Sequence, residues 1–447
     1  MSLTRRIIPH PVSVDRQSAL VREEPRETPV RAATDVLVVG GGPAGVGAAL
    51  AAASEGARTM LVERHGMLGG MWTAGLVNPF FEANRGGWLV PRLISALEQE
   101  GAWTPWRYAF TFEAEAMRRV LERLFRDAGV EFLYHTLCVE TLVEDGCVRG
   151  VIIESKAGRE AVLADVVIDC TGDGDAAARG GAPFELGRDR DGLMQPMTLM
   201  FELEGTGQFG HESAPELFDR MAEALAASGL DYELPFGRVG YVPWVIALPR
   251  PGAAAVQLTH VYRLNALKPE DVTRGTVEAR RQIAEAFEIL RRIPGLEGIR
   301  LAQSAAHIGV RESRRVLGHY QLCLDDLARG ARFEDAVATC GFGVDIHEPA
   351  PGAGVPSGHG AAMQPYEIPY RCLVPRDVTG LLVAGRCISG THEAHASYRV
   401  TGTCMATGQA AGLAAARAVA AGTSPDRVSG SALRQALAQR GVQFLEG

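Results

Sequence analysis

The sequence predicts an α/β protein: a parallel sheet with a β-meander, interrupted by a mixed α+β insertion. Three observations predict it. A strand, a glycine-rich turn, a helix and a second strand follow one another within Asp35–Arg64. Short strand-like runs come next, at Glu131–His135, Leu137–Val143, Val148–Glu154 and Ala161–Ile168, with Glu144-Asp145-Gly146 as a hairpin turn. The βα rhythm breaks off over Gly180–Pro365 and resumes at Leu381–Val419.

The first unit carries the chemistry. Asp35-Val36-Leu37-Val38-Val39 reads as a buried parallel strand. Gly40-Gly41-Gly42-Pro43-Ala44-Gly45 follows at once. Val46–Glu55 is an Ala-rich helix that Gly56 closes, and Arg58–Glu63 is the second strand. Gly-x-Gly-x-x-Gly between a strand and a helix is the fingerprint of a Rossmann-type dinucleotide site. Gly40 permits the turn, Gly42 lets backbone approach a pyrophosphate, and Gly45 lets the helix pack on the strand. Pro43 and Ala44 open the helix, whose free N–H groups point at phosphate. Glu63, roughly twenty residues on, can accept hydrogen bonds from ribose hydroxyls. An acid there suits a free 2′-hydroxyl, which favours FAD or NAD over NADP. Both strands, the helix and the terminal acid together outweigh a plain βαβ turn.

Two further stretches separate FAD from NAD. Arg64-His65-Gly66-Met67-Leu68-Gly69-Gly70-Met71-Trp72-Thr73-Ala74-Gly75 follows Glu63 directly. Far downstream lie Gly380–Cys387 and Arg399–Met405, the latter opening an Ala-rich helix. An NAD domain needs no late return to the nucleotide. FAD is long, and distant chain must hold its ring end.

From about Thr34 to Val419 the array resembles the FAD-dependent oxidoreductase family, distantly related to fumarate reductase flavoprotein subunits and of the fumarate-reductase/glutathione-reductase-like type. The resemblance implies FAD as cofactor and an FAD-binding domain interrupted by a substrate domain. It identifies Asp169–Asp175 as a second flavin-binding motif, with Thr171 and Gly172 beside the cofactor. It implies that Arg64, Gly70 and Met71 border the cofactor, and that backbone near Val139 touches the adenine. Gly385 and Arg386 would meet pyrophosphate and ribitol, and Thr403, Cys404 and Met405 the pyrimidine edge of the ring. Many related flavoproteins carry an acid where this chain has Arg386, whose guanidinium can pair with phosphate directly.

The expected organisation is an N-terminal arm at 1–33, an FAD-binding domain at 34–180 plus 366–445, and a substrate or cap domain at 181–365. Met1-Ser2-Leu3 and Glu446-Gly447 read as cloning remnants. Leu76–Thr111, rich in Trp and Phe, should pack near cofactor or substrate. Phe112–Ala128 is an amphipathic helix with Met117, Val120, Leu121, Leu124 and Phe125 on one face. The insertion should contain strands at Met197–Leu203, Val239–Leu248 and Ala254–Val261 and helices at Ser213–Ala227 and Pro269–Arg292. Ile308–Arg315 resembles a family motif. Arg314 and Arg315 read as solvated charge at a helix N-terminus, and Arg311 equally as that or as a site residue. Cys340–Gln364, with Asp345, His347, Glu348 and His359, reads as a lid or binding loop.

Substrate chemistry is expected from Ile388–Arg399. His395 or His392 could take a proton while hydride leaves to flavin N5. Arg399 could bind a carboxylate or polarise a carbonyl. Arg311, His347 and Tyr398 are the other candidates, and His392 reads more readily as a backbone hydrogen-bonder. His392-Glu393-Ala394-His395 is one residue short of H-E-x-x-H and is read as a loop, so no metal is expected.

Composition bounds the rest. The 447 residues are 47% hydrophobic and 22% charged, as in ordinary globular proteins. A net charge of −8 gives no electrostatic footprint for nucleic acid. No apolar run reaches the length of a membrane span. Eight cysteines without C-x-x-C read as free thiols of a reducing cytoplasm. The expected partner is a small-molecule substrate, with the electron acceptor unnamed and a homo-oligomer left open. Two other readings stand beside hydride transfer: an FAD monooxygenase fed by NAD(P)H, and a flavin-binding assembly protein without turnover of its own.

Overall fold

The computed structural model describes residues 12–15, 20–107, 109–207, 209–210, 214–229, 244–350 and 363–445. His359 and the first part of the expected strand at 239–248 lie outside them.

Five strands form a parallel core. In order across the sheet they are Glu131–Leu133, Thr59–Val62, Val30–Val39, Gly158–Asp169 and Leu381–Val383. Their inward residues are near-continuous Val, Leu and Ile, and Val36, Leu37, Val38, Val167 and Ile168 are fully buried. The strand Gly158–Asp169 joins the parallel and antiparallel parts of one sheet. Ala161–Asp169 pair parallel with the fingerprint strand, and Gly158–Leu163 pair antiparallel on the other edge with Cys147–Ser155, which pairs with Leu137–Glu144. The turn between those two has Asp145 at φ 50° and Gly146 at φ 74°, as a tight hairpin requires. The fingerprint strand begins at Val30 rather than Thr34, because Val30–Ala33 pair with Ala161–Leu163.

Two helices cover one face of this sheet and touch each other. The fingerprint helix is Pro43–Ser54 and the closing helix is Thr401–Ala420. Their backbones are in direct contact because glycines stand at the crossing. A Cβ on Gly408 would lie 2.0 Å from the Ala44 carbonyl oxygen, one on Gly412 2.1 Å from that of Ala48, and one on Gly47 2.5 Å from that of Met405. The crossing explains why both helices are built from Ala and Gly. The amphipathic helix Ala114–Asp127 packs beside them and buries Met117, Val120, Leu121, Leu124 and Phe125.

The aromatic segment after the fingerprint is a helix, Val90–Gln99, and a small antiparallel sheet of Pro79–Phe80, Ala109–Phe112 and Trp103–Trp106. Trp72 stacks on Phe80, which Trp103 meets edge to face. The insertion has its own apolar cluster. It is a four-stranded antiparallel sheet, ordered Trp244–Ala247, Ala253–Gln257, Phe201–Glu204 and Arg300–Ser304, with the helices Ala214–Ser228 and Pro269–Leu290. The edge strand Arg300–Ser304 is exposed along most of its length, so it carries no alternation that a sequence pattern would reveal.

Two expectations are corrected here. Arg314 and Arg315 do not open a helix: Arg314–Val316 is a strand paired with Phe184–Leu186. Arg315 is buried, paired with Glu312 and donating to the carbonyls of Gly187 (2.9 Å) and Gly390 (3.0 Å). Arg314 donates to Asp175 (2.9 Å). The segment 392–398 is a helix rather than a loop, started by Thr391, whose hydroxyl accepts from the Ala394 N–H. Among the described residues no helix is long and apolar enough to cross a membrane, and all eight cysteines are free.

The crossing gives a test whose sign is not obvious. Alanine is a better helix former than glycine by about 1 kcal/mol. Gly408→Ala should nevertheless destabilise the protein, by about 1–3 kcal/mol or more, because its methyl group would meet a backbone carbonyl. Thermal unfolding should show a lower Tm and earlier release of flavin; an unchanged or higher Tm would refute the contact.

Candidate active site

An elongated cleft runs along the C-terminal ends of the parallel strands, where Val39, Val62, Cys170 and Ala384 reach its wall. Ligands of open α/β sheets bind at this edge. The fingerprint turn contributes Gly40, Gly42, Pro43 and Ala44, the end of the second strand Glu63 and Arg64, and the following turn Gly70 and Met71. Thr171 and Gly172 come from the end of the long strand, and Gly385, Arg386 and Cys404 from the late return. The tertiary structure thus gathers four distant stretches around one opening.

Four expected cofactor residues stand behind the wall. A Cβ on Gly45 would lie 1.8 Å from the Gly40 carbonyl oxygen, so this glycine serves packing. Thr403 is fully buried, its hydroxyl 3.5 Å from the Cys340 sulfur, and Met405 is buried at the helix crossing. The meander reaches the cleft with Leu137 and Cys138, and Val139 lies beyond them.

The cleft fits a dinucleotide. Gly40 has φ 99°, and its Cβ would lie 2.6 Å from the Cys170 carbonyl oxygen, so the turn needs glycine. A Cβ on Gly42 meets nothing within 4 Å and would project into the opening. Glu63 is buried, and its carboxylate accepts from the N–H groups of Gly41 (2.6 Å) and His65 (2.7 Å), which fixes it at the strand end. The first turn of the closing helix reaches the cleft through Val400, Thr401 and Cys404. The Thr401 hydroxyl is buried there without a hydrogen-bond partner. Burial pushes the Cys404 thiol up to about 12, so it is a packing thiol rather than a nucleophile.

Mid-cleft the walls carry charge. Arg386 donates to Asp173 (2.6 Å) and to the Val310 carbonyl (2.8 Å). Burial pushes Asp173 up, but Arg386, the Ser313 hydroxyl and Arg64 together hold it below its ordinary value. Arg64 lies 3.1 Å from His307 Nε2. Burial, reinforced by Arg64 and His65, lowers His307 to about 3, so it stays neutral.

Another part of the lining comes from the insertion, from the described part of the expected lid and from the end of the helix His392–Tyr398. Thr198, Met200, Gln257, Arg311, Phe342, Asp345, His347 and Arg399 form it. Arg311 donates to the Pro196 carbonyl (2.7 Å) and to the Thr198 hydroxyl (2.7 Å). Arg399 donates to the Asp345 carbonyl (2.7 Å) and approaches its carboxylate (3.5 Å). His347 Nε2 lies 3.2 Å from Asp345 Oδ2, and His347 Nδ1 lies 2.8 Å from His260 Nε2. The Asp345 side chain keeps 43% of its surface open. Burial pushes Asp345 up, but His347, Arg399 and Arg311 outweigh it and hold it well below the carboxylate range. Burial and Arg311 lower His347 to about 4, against the pull of Asp345.

The cleft therefore receives Arg311, His347 and Arg399 of the expected catalytic set. It does not receive His392, His395 or Tyr398. Helix formation turns these three inward. His392 Nδ1 meets Glu312 at 2.9 Å, and the Tyr398 hydroxyl donates to the Ile388 carbonyl at 3.0 Å. His395 is wholly buried with both ring nitrogens unpartnered, and burial with Arg399 and Arg315 pushes its pKa well down. The expectation that His395 or His392 faces a substrate is corrected accordingly.

A family model described as FAD dependent oxidoreductase matches residues 35–437. The chain belongs to that family. Its cofactor is FAD, and the residues lining the cleft fit it. Among curated proteins, thiamine thiazole synthase of Methanococcus vannielii is 29% identical over 147 residues, 31% of this oxidoreductase and 56% of that protein. The match thus spans about half the length of the curated relative. Among solved structures, a geranylgeranyl bacteriochlorophyll reductase-like protein from Thermoplasma acidophilum aligns over 92% of this chain and 82% of its own, at 14% identity and a TM-score of 0.47. A flavin-dependent brominase aligns over 91% of this chain and 83% of its own, at 12% identity and a TM-score of 0.48.

Sequence reading missed Asp345, Asp173, His307, Thr401 and His260 as site residues. Asp345 and Asp173 stood inside stretches already singled out, and His307 directly precedes the Ile308–Arg315 motif. His260 carried no signal, because only folding brings it to His347.

Gly42→Val should leave the fold intact and abolish FAD retention, since its side chain enters open space rather than packed chain. Glu63→Ala should weaken FAD retention and stability by about 1–3 kcal/mol, because two buried amide donors lose their acceptor. Flavin absorbance after gel filtration, with circular dichroism as the control for folding, checks both.

Proposed function

We propose that this oxidoreductase exchanges hydride between flavin N5 and a small organic substrate held at the Arg311–Arg399 end of the cleft. The observation that carries the reading is one juxtaposition. The guanidiniums of Arg311 and Arg399 and the His347–Asp345 pair line the same opening as the fingerprint turn. FAD, when bound, supplies the hydride acceptor or donor.

The remaining work falls to this chain. Arg311 and Arg399 would hold a carboxylate or carbonyl, and their planar forks fix its orientation. Thr198 and the Pro196 carbonyl hold Arg311 in place, and the Asp345 carbonyl holds Arg399. His347, neutral around pH 7, would take the substrate proton as hydride departs. Asp345 stabilises the imidazolium so formed. Met71, Val77, Phe81, Met200 and Phe342 form the apolar lining that excludes water. Toward the other end, Gly40–Ala44, Gly172, Gly385 and Arg386 would cradle the pyrophosphate, and Glu63 the ribose. The first turn of the closing helix would face the flavin with its free N–H groups, and a helix N-terminus favours negative charge on a reduced ring.

Anaerobic mixing with a panel of small carboxylic, hydroxy and amino acids should bleach the flavin with at least one member. Bleaching by NADPH alone, with none of the panel active, would replace this reading by the monooxygenase one. With an active substrate, the reduction rate should be flat near neutral pH and fall as pH drops through about 4, where His347 becomes protonated. His347→Gln should remove that limb and slow reduction by about 10²–10⁴-fold with FAD content unchanged.

A further inference from the structure

We infer that His260, which stands behind the cleft wall, is a positioning residue that fixes the tautomer of His347 and leaves Nε2 as the proton-accepting atom of the site. The inference deepens the oxidoreductase reading above and rests on it for its role in turnover.

Four groups form a chain of donors and acceptors: the Thr259 carbonyl, His260, His347 and Asp345. His260 is buried, with Nδ1 2.6 Å from the Thr259 carbonyl oxygen. A carbonyl only accepts, so Nδ1 carries the proton. The Thr198 hydroxyl cannot reverse this assignment. It donates to the same carbonyl at 2.6 Å and accepts from Arg311. A neutral His260 therefore presents a bare Nε2 toward His347. Across 2.8 Å, His347 Nδ1 must be the donor. His347 is then bare at Nε2, and that nitrogen faces Asp345 Oδ2 at 3.2 Å.

In neutral His347, Nε2 thus faces the Asp345 carboxylate as a second acceptor and is the ring atom that a proton can join. Left to itself, His347 would place its proton on Nε2, toward the carboxylate. The chain ending on Thr259 holds it on Nδ1 instead. The position between Nε2 and Oδ2 is a socket for one proton, and that proton arrives from the substrate. When substrate O–H or N–H breaks, its proton forms the Nε2–H bond and the carboxylate accepts the new hydrogen bond. The electron pair of the adjacent C–H bond leaves as hydride to the flavin.

Charge from Arg311 and Arg399 reaches both rings. Arg311, Arg399 and His347 face His260, and burial with these neighbours pushes its pKa well down. Arg311, Arg399 and Asp345 face His347. Tyr262 approaches His260 ring to ring at 5.8 Å. The backbone of His260 is itself fixed by Gln282, which accepts from its N–H (2.9 Å) and donates to its carbonyl (3.0 Å).

The test reads the tautomer directly, in FAD-loaded protein carrying ¹⁵N-histidine, near pH 7. Two-bond ¹⁵N–¹H correlations report which ring nitrogen is protonated, and His347→Gln assigns the His347 signals. The expected pattern is a protonated Nδ1 and a bare Nε2. His260→Phe removes the acceptor and should flip His347 to the Nε2–H form. His260→Gln, whose amide oxygen can accept from Nδ1–H, should restore the original pattern. With any substrate that bleaches the flavin, His260→Phe should slow reduction about tenfold or more with unchanged FAD content, and His260→Gln should recover most of the rate. A wild-type His347 protonated at Nε2, or a tautomer indifferent to His260→Phe, overturns the inference. The wild-type spectrum decides alone if the Phe variant does not fold. The readout needs no turnover, so failure of the oxidoreductase reading shows separately, in the bleaching panel.

Discussion

The contact on which the rest of this structure depends is that between the fingerprint helix and the closing helix. Three glycines remove the side chains that would hold the two backbones apart, and carbonyl oxygens of one helix fill the space a Cβ would need on the other. Such closeness is possible only between residues of minimal volume, and it leaves no slack. It fixes Thr401–Cys404 against Pro43–Gly45, more than three hundred residues away in sequence. A cleft that must bind one long cofactor at both ends needs that fixed distance. The parallel pairing of Leu381–Val383 with the long strand makes the same join from the other side, delivering Gly385 and Arg386 to Gly172.

A second constraint is electrostatic and lies beside Arg311 and Arg399. Glu312, Arg315 and His392 form a buried cluster, with Arg315 also held by two carbonyls. Removing one member of such a group costs about 3–5 kcal/mol, because the partner charge stays buried alone. The cluster joins the strand that follows Arg311 to the helix that ends in Arg399. The two guanidiniums therefore face one opening from fixed supports. His392, which the sequence offers as a catalytic base, serves instead as part of the foundation. Ser397 performs a similar service, donating to the Phe342 carbonyl and meeting the Tyr366 hydroxyl at 2.8 Å, which ties the loop bearing Asp345 and His347 to the same helix.

The cofactor half of the site was legible because dinucleotide binding imposes local geometry. A turn at φ 99°, a backbone that must come close to phosphate, and an acid at the end of the next strand each demand a residue type at a set spacing. Gly40, Gly42 and Glu63 were readable for that reason, and the late Gly385-Arg386 because FAD is too long for one βαβ unit. The substrate half was not legible in the same way. His392 and His395 stood in the right stretch, yet whether that stretch coils into a helix depends on the Thr391 cap and on the cavity that receives it. Arg315 looked like surface charge, because nothing local announces that Gly187, Gly390 and Glu312 will surround it.

By itself the sequence determined the α/β class, the nucleotide fold, the identity of the cofactor and the order of the elements that build its site. The class and the nucleotide fold follow from periodicity and from the strict demands of glycine at close backbone contacts, both properties of neighbouring residues, and FAD follows from the late return and the family resemblance it carries. Only the tertiary structure decided which polar side chains meet around Arg311 and Arg399 in the cleft. Arg311, Asp345, His347, Arg399 and His260 come from four separated segments. Their protonation and partners are set by burial and by one another, and neither quantity exists until the chain has folded.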